Sequence, residues 1–396
     1  MDLLEAFEHV MRLDERGEVD IAIAALNELY DRLPETVPYL KFAGQLYQRL
    51  GADRQSLTLL QRAMALAPDD PDILLSLGYH YVDNGRPDLA LDFFQRHLAL
   101  RPDSAEGRIY LGRTLDWVGR PEEAEAELVK AMALFPDEPE TPLFLGRVRL
   151  RLGHLAAARQ TFAVAAPDNV LAEIGLRRAD ALARPRPPAM SFTSATTVVC
   201  VKAGVKFGPD YVNRLAAMTR RSTARDLRFV CFTDDPHGLA AGIEAQPLPA
   251  EGLTGWWNKV ALFRETLPGV SGRVLYLDLD AVVVAPLDPL LDHPGGLIVM
   301  DNGYVPGFSS AVMSFEVGAH AHIWNDFTPE AARRCDGDQD WLGLQAPYAD
   351  VWPEGWCVPY RLRAAEGPGP DCKVVVFANR PRPPDDPAPW IRDYWF

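Results

Sequence analysis

The sequence predicts two fold classes in one chain: an all-α solenoid in the first half and an α/β region with a mainly parallel, Rossmann-like sheet in the second. Three observations predict this. Residues with special backbone roles recur every 34 positions up to Gly153. A proline-rich stretch, ARPRPPAMS at 183–191, then interrupts the pattern and suits neither helix nor sheet. Beyond it, short β-branched runs alternate with amphipathic stretches. A chain of 396 residues is long enough for two cores. The expected boundaries are 1–182 for the helical region, 183–194 for the linker and 195–396 for the α/β region.

The repeats carry the first half. Gly17, Gly51, Gly85, Gly119 and Gly153 are spaced 34 apart, and Pro34, Pro68, Pro102 and Pro136 keep the same interval, as do Gly44, Gly78, Gly112 and Gly146. Each unit reads as two amphipathic helices: Gly51, for example, stops the first with a residue that tolerates positive φ, and Pro68 closes the second. Ala22, Ala90, Ala124 and Ala158 recur where paired helices approach closely, and Leu60, Phe94, Leu128 and Phe162 recur as their large partners. The pattern resembles the tetratricopeptide repeat over roughly residues 3–170, about five units. The first unit departs from it, with Val10 where later units have glycine, and the last ends early at Pro167. The segment NVLAEIGLRRADAL reads as a closing helix. Such units bury their apolar faces by stacking, which leaves a concave groove. That groove is expected either to be a scaffold surface or to recruit a protein partner.

Composition narrows the function classes. The net charge of −15 argues against nucleic acid or an anionic membrane surface as partner, because phosphates are repelled over most of the surface. Cys200, Cys231, Cys335, Cys357 and Cys372 are scattered, odd in number and without a C-x-x-C pair, so they read as reduced thiols. The N-terminus carries acidic residues where a signal peptide needs basic ones. The strongest apolar stretch, VLYLDLDAVVV, holds Asp278 and Asp280 in its middle and is no membrane span. The expectation is a cytoplasmic protein.

In the second half, TVVCV (197–201), RFVCF (228–232), RVLYL (273–277), GLIVM (296–300), AVMSF (311–315) and KVVVF (373–377) read as strands, and 209–222 and 256–266 as helices. In such sheets ligands bind at the carboxyl ends of the strands. The strand Leu275-Tyr276-Leu277 ends there in Asp278-Leu279-Asp280. In extended backbone both carboxylates point to one face, and two like charges at that depth need compensation. A hard divalent ion, Mg²⁺ or Mn²⁺, holding a diphosphate would supply it. The plainer alternative is a solvated strand-end turn.

The order VKAGVKFGPDYVNRLAAMTRR, FVCFTDD, GWWNKVALF, VLYLDLDAVVVAPLDPL, GDQDW is similar to a bacterial family of GT-A-fold glycosyltransferases related to the glycogenin and galactosyltransferase group. The resemblance implies a nucleotide-sugar donor, often UDP-linked, Mn²⁺ or Mg²⁺ on the D-x-D motif, and a glycan or protein acceptor. It implies Asp278 and Asp280 as metal ligands, with Asp278 also toward the ribose and diphosphate. It places Lys202, Gly204, Tyr211 and Asp234 around the nucleotide, and Lys259 and Arg382 on the diphosphate. Asp338, Gln339 and Asp340 would face the donor sugar and the acceptor. The family closes with F-H-G-x-P-K-P, whereas this chain has Phe377-Ala378-Asn379-Arg380-Pro381-Arg382-Pro383. Ala378 cannot ligate where the histidine would, leaving Asn379 as a weaker oxygen ligand. That departure keeps a second expectation open: a degenerate, non-catalytic domain on a protein-binding adaptor. A serine hydrolase elbow at Gly307-Phe308-Ser309-Ser310-Ala311 is a weak rival, because an elbow joins a strand to a helix and AVMSF reads as a strand. No glycine-rich dinucleotide or P-loop motif is present.

Overall fold

The computed structural model describes residues 3–165, 169–185, 196–377, 382–385 and 388–396. The chain forms two compact units, Met1–Pro136 and Asp137–Phe396. Among the described residues no helix is long and apolar enough to cross a membrane.

The first unit is built from helical hairpins: α1 (Leu3–Glu15) with α2 (Val19–Tyr30), α3 (Val37–Arg49) with α4 (Asp53–Leu66), α5 (Pro71–Asp83) with α6 (Pro87–Leu100), and α7 (Ala105–Trp117) with α8 (Pro121–Leu134). The turn glycines Gly17, Gly51, Gly85, Gly119 and Gly153 all have φ between 72° and 81°, so one backbone requirement explains that whole register. The second glycine register and the large-residue register turn out to be two halves of one contact. A Cβ at Gly44 would lie 2.9 Å from Leu60, one at Gly78 2.5 Å from Phe94, and one at Gly112 2.6 Å from Leu128. The pairing helices therefore cross at a residue without a side chain. Burying Phe94 completely there is worth roughly 2–3 kcal/mol. In the first hairpin Val10 takes the glycine's position and is itself buried. Helix ends follow from capping: the Asp70 carboxylate accepts the Asp72 and Ile73 N–H groups at 2.9 and 3.1 Å and also pairs with Lys41 at 3.0 Å.

The second unit opens with α9 (Thr141–Arg151), α10 (Leu155–Val164) and α11 (Val170–Leu182), where Asn169 caps α11 through the Ala172 N–H at 3.1 Å. Phe162 of α10 is received by glycines on both sides: a Cβ at Gly146 would lie 2.4 Å from its ring and one at Gly175 2.5 Å. These helices belong to the same compact unit as the sheet, so the structural division falls at Pro136 and not at the proline-rich stretch. Most of the expected linker, 186–194, lies outside the described residues.

The strands are β1 (Thr197–Lys202), β2 (Phe229–Thr233), β3 (Glu244–Gln246), β4 (Arg273–Leu277), β5 (Ala281–Val283), β6 (Leu297–Asp301), β7 (Phe308–Glu316), β8 (Asp350–Val351), β9 (Cys357–Pro359) and β10 (Val374–Val376). The helices are α12 (Pro209–Arg221), α13 (Asp288–Asp292), α14 (His322–Asn325), α15 (Pro329–Arg334), α16 (Asp338–Gln345), α17 (Tyr360–Arg363) and α18 (Pro389–Tyr394). A seven-stranded sheet has the order β3-β2-β1-β4-β7-β6-β8, and a smaller one β5-β10-β9. The large sheet is mixed: β7 runs antiparallel between β4 and β6, and the other neighbours pair in parallel. Residues 302–307 between β6 and β7 are too few for the crossover that parallel pairing demands. Alternate strand residues feed two cores, one with Val198, Cys200, Leu275 and Leu277 against α12, the other with Val199, Val230, Val274 and Tyr276 against α16.

Two local expectations differ. Of the expected helix at 256–266, the structure forms a 3₁₀ helix over Gly255–Phe263, where the Asn258 side chain donates to the Gly255 carbonyl at 3.0 Å and competes with regular α geometry. Strand β4 stops at Leu277, and Asp278-Leu279-Asp280 is a turn closed by the Ala281 N–H on the Asp278 carbonyl at 3.1 Å. Period-2 alternation therefore does not govern the two aspartates; the turn brings them together.

Candidate active site

Strands β1, β2 and β4 run in parallel, so Lys202, Asp234 and Asp278 emerge along one edge of the sheet. Asp278 leaves β4 beside β7, its N–H bonded to the Ala311 carbonyl at 2.9 Å. Its carboxylate has protein partners on both oxygens. The Tyr276 hydroxyl donates to Oδ1 at 2.6 Å, and Lys259 Nζ lies 3.3 Å from Oδ2. Lys259 is buried and also donates to Ser310 Oγ at 2.8 Å and pairs with Asp338 Oδ2 at 3.3 Å. The 3₁₀ helix, β4, β7 and α16 thus each contribute to a single network.

Electrostatics follow from that count. Burial alone would lower the Lys259 ammonium, but the Asp278 and Asp338 charges outweigh it and hold it above the ordinary lysine value. Asp338 ends above the usual carboxylate range despite its ion pair, because burial exceeds the help from Lys259 and Ser310. Burial followed by the Asp278 charge raises the Tyr276 phenol, which stays a donor. Asp280 is the group left over. It makes no ion pair among the described residues, and burial in the turn plus the neighbouring Asp278 charge push it up to about 7. Lys259 and Lys206 offset this only at a distance.

A divalent ion fits this donor set in part. Both candidate ligands are hard oxygens, and Asp280 is short of a cation. Among the described residues, however, no group of three or more His, Cys, Asp or Glu is arranged to hold a metal. Asp278 and Asp280 would need further oxygens, such as those of a bound diphosphate. Asn379, the third expected ligand, lies outside the described residues with Ala378. Strand β10 pairs with β5 so that Val376 is opposite Ala281, the residue after Asp280.

The remaining expected residues fall into two groups. Lys202 is buried and donates to the Asp235 carbonyl at 3.3 Å, while the Asp234 carboxylate accepts the Gly204 N–H at 2.8 Å. Both contacts tie the loop after β1 to the loop after β2. Tyr211 is buried between Phe207 and Trp395, with ring centroids 4.9 and 5.4 Å away. Its phenol is raised by burial, and the nearby Arg382 offsets part of that shift. Arg382 also lies 5.1 Å over the Phe207 ring. On α16, Asp340 accepts the Asp336 N–H at 2.9 Å and is raised by burial, and Gln339 is half-buried beside it. The stretch 308–311 lies inside β7, so it forms no nucleophile elbow.

Sequence reasoning missed Tyr276, Ser310 and Lys206. A signal existed for Tyr276, which precedes Asp278 by two residues on the same strand. Ser310 entered only as part of the weak hydrolase elbow, and Lys206 stands out only as a cation in the loop after β1.

Tetratricopeptide repeat profiles match residues 43–105 and 118–174. No curated protein matches the chain. Among solved structures, a MamA protein is 21% identical with TM-score 0.35, covering 36% of this chain and 80% of its own. PilW, titled a widely conserved type IV pilus biogenesis factor, is 20% identical with TM-score 0.40, covering 45% and 86%. A thermophilic tetratricopeptide repeat protein of Thermus thermophilus is 22% identical with TM-score 0.36, covering 44% and 97%. The helical hairpins and the profile matches agree, and the first 180 or so residues carry tetratricopeptide repeats.

Proposed function

We propose that the α/β region transfers a sugar from a nucleotide-sugar donor, with UDP as the nucleotide, and that the repeats recruit a protein partner or the acceptor. The observation that carries this reading is the Asp278–Asp280 turn: Lys259 forms an ion pair with Asp278, and among the described residues no cation forms one with Asp280. Mn²⁺ or Mg²⁺ held there with a diphosphate would neutralise charge developing on the departing nucleotide. Asp280 would be the main protein ligand, and Asp278, fixed by Tyr276 and Lys259, would orient the ribose and diphosphate. Arg382 would meet the diphosphate with its planar fork. Lys259 is held by three protein partners, so its part in this scheme is to fix Asp278 and Asp338. Asp338 and Asp340, both raised above the usual carboxylate range, are the proton acceptors available to an acceptor hydroxyl, with Gln339 between them to orient it. Arrays of such repeats bind protein on the concave surface that stacking creates.

A second reading, a non-catalytic adaptor, is favoured by Ala378 and by the lack of a three-ligand cluster among the described residues. One titration separates them. UDP-sugars are added to the full chain with and without Mn²⁺, and UDP release is then followed. Mn²⁺-dependent binding with slow release, both lost in Asp278→Asn and Asp280→Asn, is the outcome expected of a transferase. Binding without release across several donors and acceptors supports the adaptor, and unchanged binding in both variants removes the site altogether.

A further inference from the structure

The network around Lys259 is completed from two elements, β7 through Ser310 and α16 through Asp338. Helix α11 grips both. Ile174 is buried among the core residues of that face, including Trp341, Leu342 and Leu344 of α16. A Cβ at Gly343 would lie 2.9 Å from Ile174 Cγ2, so α16 offers a side-chain-free notch at that contact. The same Ile174 methyl is 3.6 Å from where a Cβ at Gly307 would stand, immediately before β7. Charge reinforces the fit. Arg177, steadied by Glu173 at 2.6 Å, donates to the Leu344 carbonyl at the end of α16 at 2.9 Å. Arg178 donates to the Pro347 carbonyl at 2.7 Å and lies 4.9 Å over the ring of Phe308 in β7. Glu173 also pairs with Arg334 of α15 at 2.8 Å, just ahead of α16.

We propose that Ile174, Arg177 and Arg178 of α11 are positioning residues for the candidate site: they set α16 and β7 so that Asp338 and Ser310 meet Lys259 and, through it, Asp278. The helix that closes the repeat region is then a structural part of the site. This rests on the transferase reading only for what the site does; the geometric claim is separate.

The test reads the site without any substrate. Amine-reactive labelling of the full chain at fixed pH, followed by mass spectrometry, reports how accessible the Lys259 ammonium is. Gly343→Ala puts a methyl against Ile174 and should raise Lys259 labelling about tenfold. Gly343→Ala combined with Ile174→Ala relieves the clash but also removes the Ile174 contact, so labelling should fall below that of Gly343→Ala and stay above the wild-type level. Arg177→Ala, at an exposed side chain, should give a rise of several-fold and covers the case in which Gly343→Ala does not fold. Val212→Ala, in the core on the other face of the sheet, serves as a control of matched thermal stability. Equal labelling in Gly343→Ala and Val212→Ala, or no rise in Arg177→Ala, overturns the proposal. Failure of the wild-type chain to bind UDP-sugar with Mn²⁺ would sink the transferase reading and leave this result standing.

Discussion

Replacing Asp280 by asparagine should stabilise the metal-free protein at neutral and alkaline pH while abolishing its response to Mn²⁺. Folding moves the Asp280 carboxyl from 3.8 to about 7, through burial and then the Asp278 charge. At roughly 1.4 kcal/mol for each tenfold change in proton affinity, that is about 4 kcal/mol disfavouring the ionised group in the fold. Asp280 is only half-buried by solvent contact, so roughly 2 kcal/mol is the expected size. The sign follows from the raised value. Below about pH 4 both states hold the proton and the substitution changes little; as pH climbs through about 7 the wild type loses stability and the asparagine variant does not. Urea unfolding from about pH 4 to 8.5 is the assay. Of the nine tryptophans only Trp117 precedes Asp137, so fluorescence follows the second unit almost alone. Mn²⁺ at about pH 8 should return the wild type to the variant's stability or beyond it, and leave the variant unmoved. A variant no more stable than wild type at that pH, with the same pH profile, refutes the claim that Asp280 lacks a cation.

Two further predictions concern packing and charge. Lys259→Met removes the ammonium shared by Asp278 and Asp338 and should cost about 3 kcal/mol or more at neutral pH; the loss should shrink in mild acid as the carboxylates take up protons, read by the same fluorescence assay. Gly78→Ala brings a methyl to 2.5 Å from the Phe94 ring and should destabilise the first unit by about 1–3 kcal/mol, seen by circular dichroism as a lower helical melting transition.

The repeats were legible because their constraint is local: five glycines in one turn conformation must recur at one interval whatever surrounds them. Strands β1, β2, β4, β6, β7 and β10 were legible for the same reason, each being an apolar run with its own end signals, whereas the short β3, β5, β8 and β9 were not. What the sequence did not disclose is how distant elements converge. Ser310 lies 51 residues from Lys259 and reads as an ordinary hydroxyl in a strand, yet it is that lysine's closest partner. Lys259 read as a cation free for phosphate because nothing nearby in the chain announces Asp338 as its counter-ion. The compact units divide elsewhere, at Pro136, for a related reason. Prolines mark where regular structure stops, but Ile174 and the arginines beside it sit before the prolines and pack onto the sheet behind them.

The charge balance at the turn also bears on how a donor can bind at all. Asp278 and Asp338 share one buried ammonium and Asp280 has no ion pair among the described residues, so the described network is short of positive charge once its carboxylates ionise. A diphosphate brings more negative charge to the same sheet edge, and beyond what Arg382 offsets it meets repulsion from the three carboxylates unless protons or a cation come with it. Protons meet that need in mild acid, where the raised Asp280 carboxyl holds its proton. At higher pH, the proposed donor binding should depend on a divalent cation in addition to Arg382. Donor binding in mild alkali that is as tight in chelator as in Mn²⁺ would therefore place the nucleotide elsewhere on the molecule and leave the Asp278–Asp280 turn without a role in holding it.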